Sequence, residues 1–410
     1  MTFSSKSTDT RPHGGSRVGG RGEIFRAFLR LGCISFGGPV AHIGYLREEF
    51  VVRRRWLDEA AYADLVALCQ FLPGPASSQV VFALGMMRGG LPGALTASFC
   101  FTLPSAVMMI AFAYGVTALG DLAGAGWLHG LKTAAVAVVA QAVWGMGRKL
   151  CPDRARIALA LGAAIALLVV PGTVGQVAVI VVGAVVGWWI YRGAVKNEGD
   201  DLEPGRTTGH GWAMAALIGF GALLVGLPVV AASTEWRGWD VVDSFYRAGS
   251  LVFGGGHVIL PLLRAEVVPP GWLADDVFLA GYGAAQAVPG PLFTLAGFLG
   301  AAIPMGLPMW AGGLLGLSAI FLPAWLLVGG TFPFWRRLRE QAWSQAALRG
   351  ANAAVVGVLL AALYDPVWRE GVKGPVDVAG VIGAFLLLEV SRVPAWVVVV
   401  LAAGVGQWLG

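Results

Sequence analysis

Charge is what this sequence has little of. Of 410 residues only 13% are Asp, Glu, Lys or Arg, against 57% hydrophobic, and the mean hydropathy is +0.71. So small a polar fraction cannot cover a soluble globule of this size, which excludes that class and makes a bilayer the expected solvent. Histidine is scarce, five in the chain, and none are paired at metal-ligand spacing. The four cysteines, Cys33, Cys69, Cys100 and Cys151, stand singly with no CxxC, and read as small buried apolar residues. No metal and no cofactor is expected. A convergent nucleophile and base, or a Ser-centred turn, is also missing, so an enzyme is not the reading. The net charge of +5 is small for the length and sits in short loops, where it orients helices instead of forming a nucleic-acid patch.

What is present is apolar sequence from end to end, in runs near the 20 residues a membrane helix needs. The expected fold is all-α, a polytopic integral membrane protein of about thirteen segments. Residues 1–22 are rich in Ser, Thr, Gly and Arg, lack an apolar core of signal-peptide length, and read as a flexible cytoplasmic tail. Residues 23–192 form a first membrane repeat, 193–240 a polar linker with an extra span, and 241–410 a second repeat.

The repeat is explicit. Arg30-Leu31-Gly32-Cys33-Ile34-Ser35-Phe36-Gly37-Gly38-Pro39 recurs as Arg247-Ala248-Gly249-Ser250-Leu251-Val252-Phe253-Gly254-Gly255-Gly256, 217 residues on. Leu46-Arg47-Glu48-Glu49 recurs as Leu263-Arg264-Ala265-Glu266, and Trp56-Leu57 as Trp272-Leu273. Gln70 with Pro73-Gly74-Pro75 recurs as Gln286 with Pro289-Gly290-Pro291 at an offset of 216. An ordered series at one spacing is a fused duplication.

Each Pro-Gly-Pro should split its apolar run into half-helices, because proline removes a backbone donor and clashes with the preceding turn. Seven segments separate the two copies, so they should insert with opposite polarity, as inverted-topology repeats. Loop charge agrees: Arg148, Lys149, Arg154 and Arg156, then Arg192, Lys196 and Arg206, then Arg336, Arg337 and Arg339 share one side, expected to be cytoplasmic with the N-terminus. Arg53, Arg54 and Arg55 join that side only if the first two segments are re-entrant hairpins. Breaks at corresponding positions of two inverted halves point to a transport site at their interface.

Candidate ligands follow. Gly37, Gly38, Gly254, Gly255 and Gly256, with Gly74 and Gly290 in the breaks, lack a Cβ and can bring backbone N–H groups to an oxyanion; close helix packing is the plainer alternative. Arg30 with Arg247, and Lys132 with Arg349, are duplicated cations in or at the ends of apolar helices, suited to an anion or to snorkelling. Ser35, Gln70, Gln286, Ser77, Ser78 and Thr294 offer neutral donors, or satisfy freed carbonyls. His42, His257, Glu48, Glu49, Glu266 and Asp64 are candidates for carrying protons, or are ordinary loop and salt-bridge residues. Trp56 and Trp272 read as interfacial anchors.

On these residues the sequence resembles the chromate ion transporter family in its long form of two fused halves. The likeness rests on Phe36-Gly37-Gly38-Pro39 with His42, Arg54 with Trp56, Gln70 with Pro73-Gly74-Pro75, Phe253-Gly254-Gly255-Gly256-His257, and Gln286 with Pro289-Gly290-Pro291. It implies a secondary transporter of the bacterial inner membrane that exports chromate, with sulfate as the look-alike anion, driven by the proton motive force. Copy two departs by Gly256 in place of Pro39 and by lacking the arginine triplet, so unequal roles for the halves are expected. The expected partners are that oxyanion, protons and lipid; a homodimer is compatible with the sequence.

Overall fold

The computed structural model describes residues 21–36, 38–118, 126–192, 210–253, 256–334 and 341–409. Gly37, Gly254, Gly255, most of the tail, and the loop cations Lys196, Arg206, Arg336, Arg337 and Arg339 lie outside the described residues. Among the described residues the chain is helical with no strand.

Copy one comprises α1 (Arg21–Ile34), α2 (Gly38–Arg47), α3 (Glu59–Phe71), α4 (Ala76–Ala118), α5 (Gly126–Leu150), α6 (Arg154–Val169) and α7 (Thr173–Tyr191). The extra helix is α8 (His210–Ser233). Copy two comprises α9 (Arg237–Ser250), α10 (Ile259–Val267), α11 (Asp275–Ala287), α12 (Leu295–Ala302), α13 (Met309–Thr331), α14 (Ala342–Ala362), α15 (Pro375–Glu389) and α16 (Ala395–Leu409).

Five helices are long and apolar enough to cross a membrane: 76–118, 174–191, 211–233, 309–334 and 343–371. Shorter apolar helices at Ala61–Phe71, Leu292–Ala302 and Ala395–Trp408 accompany these five. α3 has 13 residues, about 20 Å against a hydrocarbon core of about 30 Å. α4 itself bends at Gly89 and Gly90, the latter at φ +62°, so its first part is a half-helix as well.

The broken segments fold back on themselves. Glu23, near the start of α1, accepts hydrogen bonds from Arg54 and Trp56 beyond α2, and from Arg88 at the bend of α4, each at 3.3 Å. The beginning and end of segment 23–54, and the end of segment 58–88, therefore meet at one point. Copy two closes likewise: Trp236 Nε1 donates to the Met305 carbonyl at 2.8 Å, and 305 is the position 217 residues after Arg88. In both copies one ion pair ties α2 or α10 to the next helix, Arg47 to Glu59 and Arg264 to Asp275, with each Nε donating at 2.9 Å.

The two copies are interlocked. α5 of copy one packs against α15 and α16 of copy two, while α14 of copy two packs against α6 and α7 of copy one. Small residues permit this approach: a Cβ on Gly130 would lie 2.1 Å from the Ala402 carbonyl, and one on Gly350 2.0 Å from the Gly183 carbonyl.

Local caps start the later helices. Asp153 accepts from the Arg156 backbone N–H at 3.0 Å and from the Tyr191 hydroxyl at 2.7 Å. The Arg156 N–H, the Tyr191 hydroxyl and the Arg156 guanidinium together outweigh partial desolvation and hold this loop carboxyl at about 2. A carboxyl depressed below its unfolded value stabilises the fold above the ordinary carboxylate range and loses that contribution as pH falls through about 2. Asp153→Ala is expected to cost about 1 kcal/mol at neutral pH, read as a lower thermal midpoint in detergent.

Candidate functional site

The Pro-Gly-Pro breaks meet the glycine stretches of the opposite copy. The Gly74 N–H donates to the Val252 carbonyl at 2.6 Å, and the Gly290 N–H donates to the Ser35 carbonyl at 2.8 Å. Val252 stands 217 residues after Ser35, and Gly290 stands 216 after Gly74, so the two bonds are equivalents exchanged between copies. Such reciprocity is what an approximate two-fold relation produces. Both glycines adopt left-handed values, φ +122° and +103°, open to glycine at little cost. Each also abuts a helix of the other copy: a Cβ on Gly74 would lie 3.3 Å from the Ala324 Cβ, and one on Gly290 2.6 Å from Ser105 Oγ.

Freed carbonyls in the breaks are satisfied locally. Gln79 Nε2 donates to the Pro73 carbonyl at 2.7 Å, and Thr294 Oγ1 to the Pro291 carbonyl at 2.8 Å. Thr294 thus serves its own turn. His42 is buried, with Nε2 at 3.0 Å from the Ser35 carbonyl and Nδ1 at 3.4 Å from Ser77 Oγ. A carbonyl only accepts, so Nε2 carries a proton, and in the neutral ring Nδ1 accepts from Ser77. The hydroxyls of Ser35 and Ser78 are buried without a hydrogen-bond partner.

Beside the second break lies a cavity of about 70 Å³ walled by Gly38 of copy one, Val138 and Gln141 of α5, His257, Gln286 and Gly290 of copy two, and Ala395 of α16. By the measure in which one water takes about 10–15 Å³, it accommodates about five oxygen-sized positions, comparable to a tetrahedral oxyanion. His257 Nδ1 is 2.9 Å from the Tyr282 hydroxyl, and Gln286 lies beside that tyrosine with its amide nitrogen in no normal hydrogen bond. Two helices, α2 and α16, begin at the cavity with Gly38 and Ala395, so their positive dipole ends are directed there.

The structure thus brings together Gly38, His257, Gln286 and Gly290. Gly256 and the prolines Pro73, Pro75, Pro289 and Pro291 shape the backbone around them. Other candidates lie elsewhere. Arg30 and Gln70 are exposed. Arg247 is paired with Asp243 at 2.8 Å and with Glu266 at 3.1 Å. Lys132 lines a separate, wider groove of about 740 Å³ between α5, α15 and α16, which is mostly apolar and also contains His129 bonded to Asp377. Arg349 sits 5.9 Å from the centre of the Tyr191 ring. Glu48 is exposed and Asp64 is half-buried. Trp272 packs against the main core.

Gln141, Gln79 and Tyr282 were not singled out by the sequence reading. The available signal was a polar side chain inside an apolar run, but none of the three is duplicated: Gln141 corresponds to Val358, by the 217-residue offset that relates Lys132 to Arg349.

Glu49 is buried and held by Arg53 at 3.1 Å and Arg54 at 2.7 Å, while Arg54 also reaches Glu23. Arg54 and Arg88 lie over the Trp56 ring, 5.9 and 5.0 Å from its centre. This cluster clamps the ends of both copy-one hairpins. Removing Arg54 leaves buried Glu49 to the half-exposed Arg53 alone and frees Glu23 from one partner, so Arg54→Ala is expected to destabilise the fold by about 2 kcal/mol. The double variant Arg54→Gln with Glu49→Gln should lose less, and thermal unfolding in detergent compares them.

Comparison with known proteins decides the family. The chromate transporter family model matches residues 22–188 and again 239–407. The chain belongs to the chromate transporter family. It is similar to the chromate transport protein of Cupriavidus metallidurans, 28% identical over 94% of this chain and 92% of the relative. To the chromate transport protein of Pseudomonas aeruginosa it is 29% identical over the same shares. A probable chromate transport protein of Synechococcus elongatus is 27% identical over 83% of each chain. No solved structure matches. As a member of a transporter family with five apolar spans, the chain is a multi-pass membrane protein. The two matched stretches each carry one Pro-Gly-Pro and one glycine stretch, so both halves of the reciprocal contact lie within the matched residues.

Proposed function

We propose that this chromate transporter family member is a secondary active exporter of chromate across the inner membrane, coupled to the proton motive force, with its anion site at the cavity beside the second break. Residues 23–192 and 241–410 act as inverted repeats, with the clamped hairpins entering from opposite faces and the N-terminus in the cytoplasm. The observation that carries this reading is the pair of reciprocal Gly–carbonyl bonds, because it places the interruption of each copy against the other and leaves a polar cavity between them. Irregular backbone at membrane depth is tolerated where it is buried in protein or lines such a cavity.

Neutral donors suit a dianion in this setting. Gln286 supplies an unengaged amide, and the positive ends of α2 and α16 add attraction without a fixed counter-charge that would hold the anion too tightly to release. An interior-negative potential favours exit of a dianion by about 2.3 kcal/mol per charge per 100 mV, and protons supply the linkage that makes movement conditional on the gradient. Sulfate has the same shape and charge, and belongs in the same test.

The test is uptake of radiolabelled chromate into everted membrane vesicles with an imposed proton gradient and unlabelled sulfate as competitor. Accumulation that collapses with an uncoupler is the expected result. Uptake no greater than in vesicles lacking the protein overturns the substrate, and uptake indifferent to the proton gradient overturns the coupling in favour of a passive pathway.

A further inference from the structure

The carboxylates first considered as proton carriers are engaged or remote. Glu49 and Glu266 are neutralised by arginines, and Glu48 is exposed. A different carboxylate lies next to the cavity. Glu389 ends α15, is half-buried, and has no cation within ion-pair distance among the described residues. Its contact is with Gln141, whose Nε2 is 3.4 Å from Glu389 Oε2 and 3.3 Å from the Leu388 carbonyl, while Gln141 itself lines the cavity.

Depth makes this arrangement unusual. Gln141 lies nine residues before the end of α5 at Leu150, about 14 Å along the helix axis, roughly half the thickness of the hydrocarbon core. An ionisable group there is costly and is retained for a function by default. Duplication does not account for it: residues 158–172, the matching run of copy one, contain no charged side chain, with Gly172 at the position of Glu389, and Gln141 is replaced by Val358. Amide and carboxylate come from different copies, Gln141 from copy one and Glu389 from copy two, and they meet beside the break of copy two, whereas the equivalent positions Val358 and Gly172 carry neither group.

We propose that Glu389 is a proton-binding residue linked to the anion site through Gln141. The inference rests on the functional reading above. Ionised, the carboxylate only accepts hydrogen bonds; it keeps the Gln141 amide nitrogen turned to α15 and repels a dianion in the cavity. A proton taken from solvent removes that charge and turns the carboxyl into a donor, which frees the Gln141 amide for the anion. Proton and anion then favour each other's binding, reciprocally and by the same factor. The dianion therefore leaves with a proton as one net negative charge, and the interior-negative potential is the component of the proton motive force that drives it out.

The neighbouring charges do not replace Glu389 in this role. The elements packed against α15 are α5 and α16. α16 has no charged residue, and on α5 Lys132, Arg148 and Lys149 lie at least seven residues from Gln141. His129 is bonded to Asp377, Arg392 is exposed beyond the helix end, and His257 faces the Tyr282 hydroxyl.

The experiment is proton uptake on chromate binding to the full chain in detergent, in weak buffer on the alkaline side of neutrality, where free chromate is a dianion. Binding is measured in parallel by equilibrium dialysis. Wild type should take up protons as chromate binds, with affinity falling by up to about tenfold per pH unit for one linked proton. Glu389→Gln should bind chromate with no uptake and with affinity flat in pH, and Glu389→Asp should restore the uptake. If Glu389→Gln takes up protons as wild type does, or wild type binds chromate without uptake, this inference falls and the chromate reading stands. If wild type binds no chromate, the chromate reading falls and takes the inference with it.

Discussion

Gly290→Val is expected to abolish chromate transport and to lower stability by about 3–4 kcal/mol. Three effects coincide at this residue. Its φ of +103° is closed to a β-branched side chain. A Cβ would lie 2.6 Å from Ser105 Oγ on α4, well inside van der Waals contact. The shift needed to relieve either would break the hydrogen bond to Ser35 that joins the copies, worth about another 1 kcal/mol. Against a typical stability of about 5–15 kcal/mol, the loss is severe. Ser105→Gly should recover the steric part but not the strain, and Gly271→Ala, at φ +75° with nothing within 4 Å, calibrates strain alone at about 1–2 kcal/mol. Thermal unfolding in detergent separates these contributions. A Gly290→Val protein that unfolds and transports like wild type would show that the reciprocal contact is not what holds the halves in register.

Gln286→Leu is expected to leave the fold intact and reduce chromate transport by about 10- to 100-fold, the cost of removing a buried donor from a desolvated ligand. Gln70→Leu, the same substitution at the duplicated position, should have little effect, because Gln70 is exposed whereas Gln286 borders the cavity. Transport into vesicles at matched protein levels makes the comparison. Equal losses at both positions would mean that the two breaks serve equivalent sites, and would overturn the assignment of the anion to the cavity beside Gln286.

That contrast shows what sequence reading could reach. The duplication makes Gln70 and Gln286 alike, as it does Arg30 and Arg247, yet one glutamine is exposed and the other lines the cavity, and one arginine is exposed and the other is held by two acidic residues. Equivalence in sequence describes ancestry; burial depends on what each copy packs against. Glycine and proline were the most legible residues, since φ freedom and the missing donor act within a few bonds. The breaks after Phe71 and Ala287 stand where they were expected. Gln141 and Glu389 were not legible, because their importance comes from neighbours on helices 248 residues apart in the chain.

Composition alone determined that the chain lives in a bilayer, and spacing alone determined that it is a duplication with a break in each copy. These are properties of residue type and order, which chain geometry cannot alter. Only the tertiary structure decided that each break binds the opposite copy's glycine stretch, and that α5 and α14 exchange partners between halves. It also decided that a polar cavity borders the second break. The physical reason is that these contacts are hydrogen bonds and close packing between segments far apart in sequence. They exist only once the half-helices have docked, and no local preference encodes them.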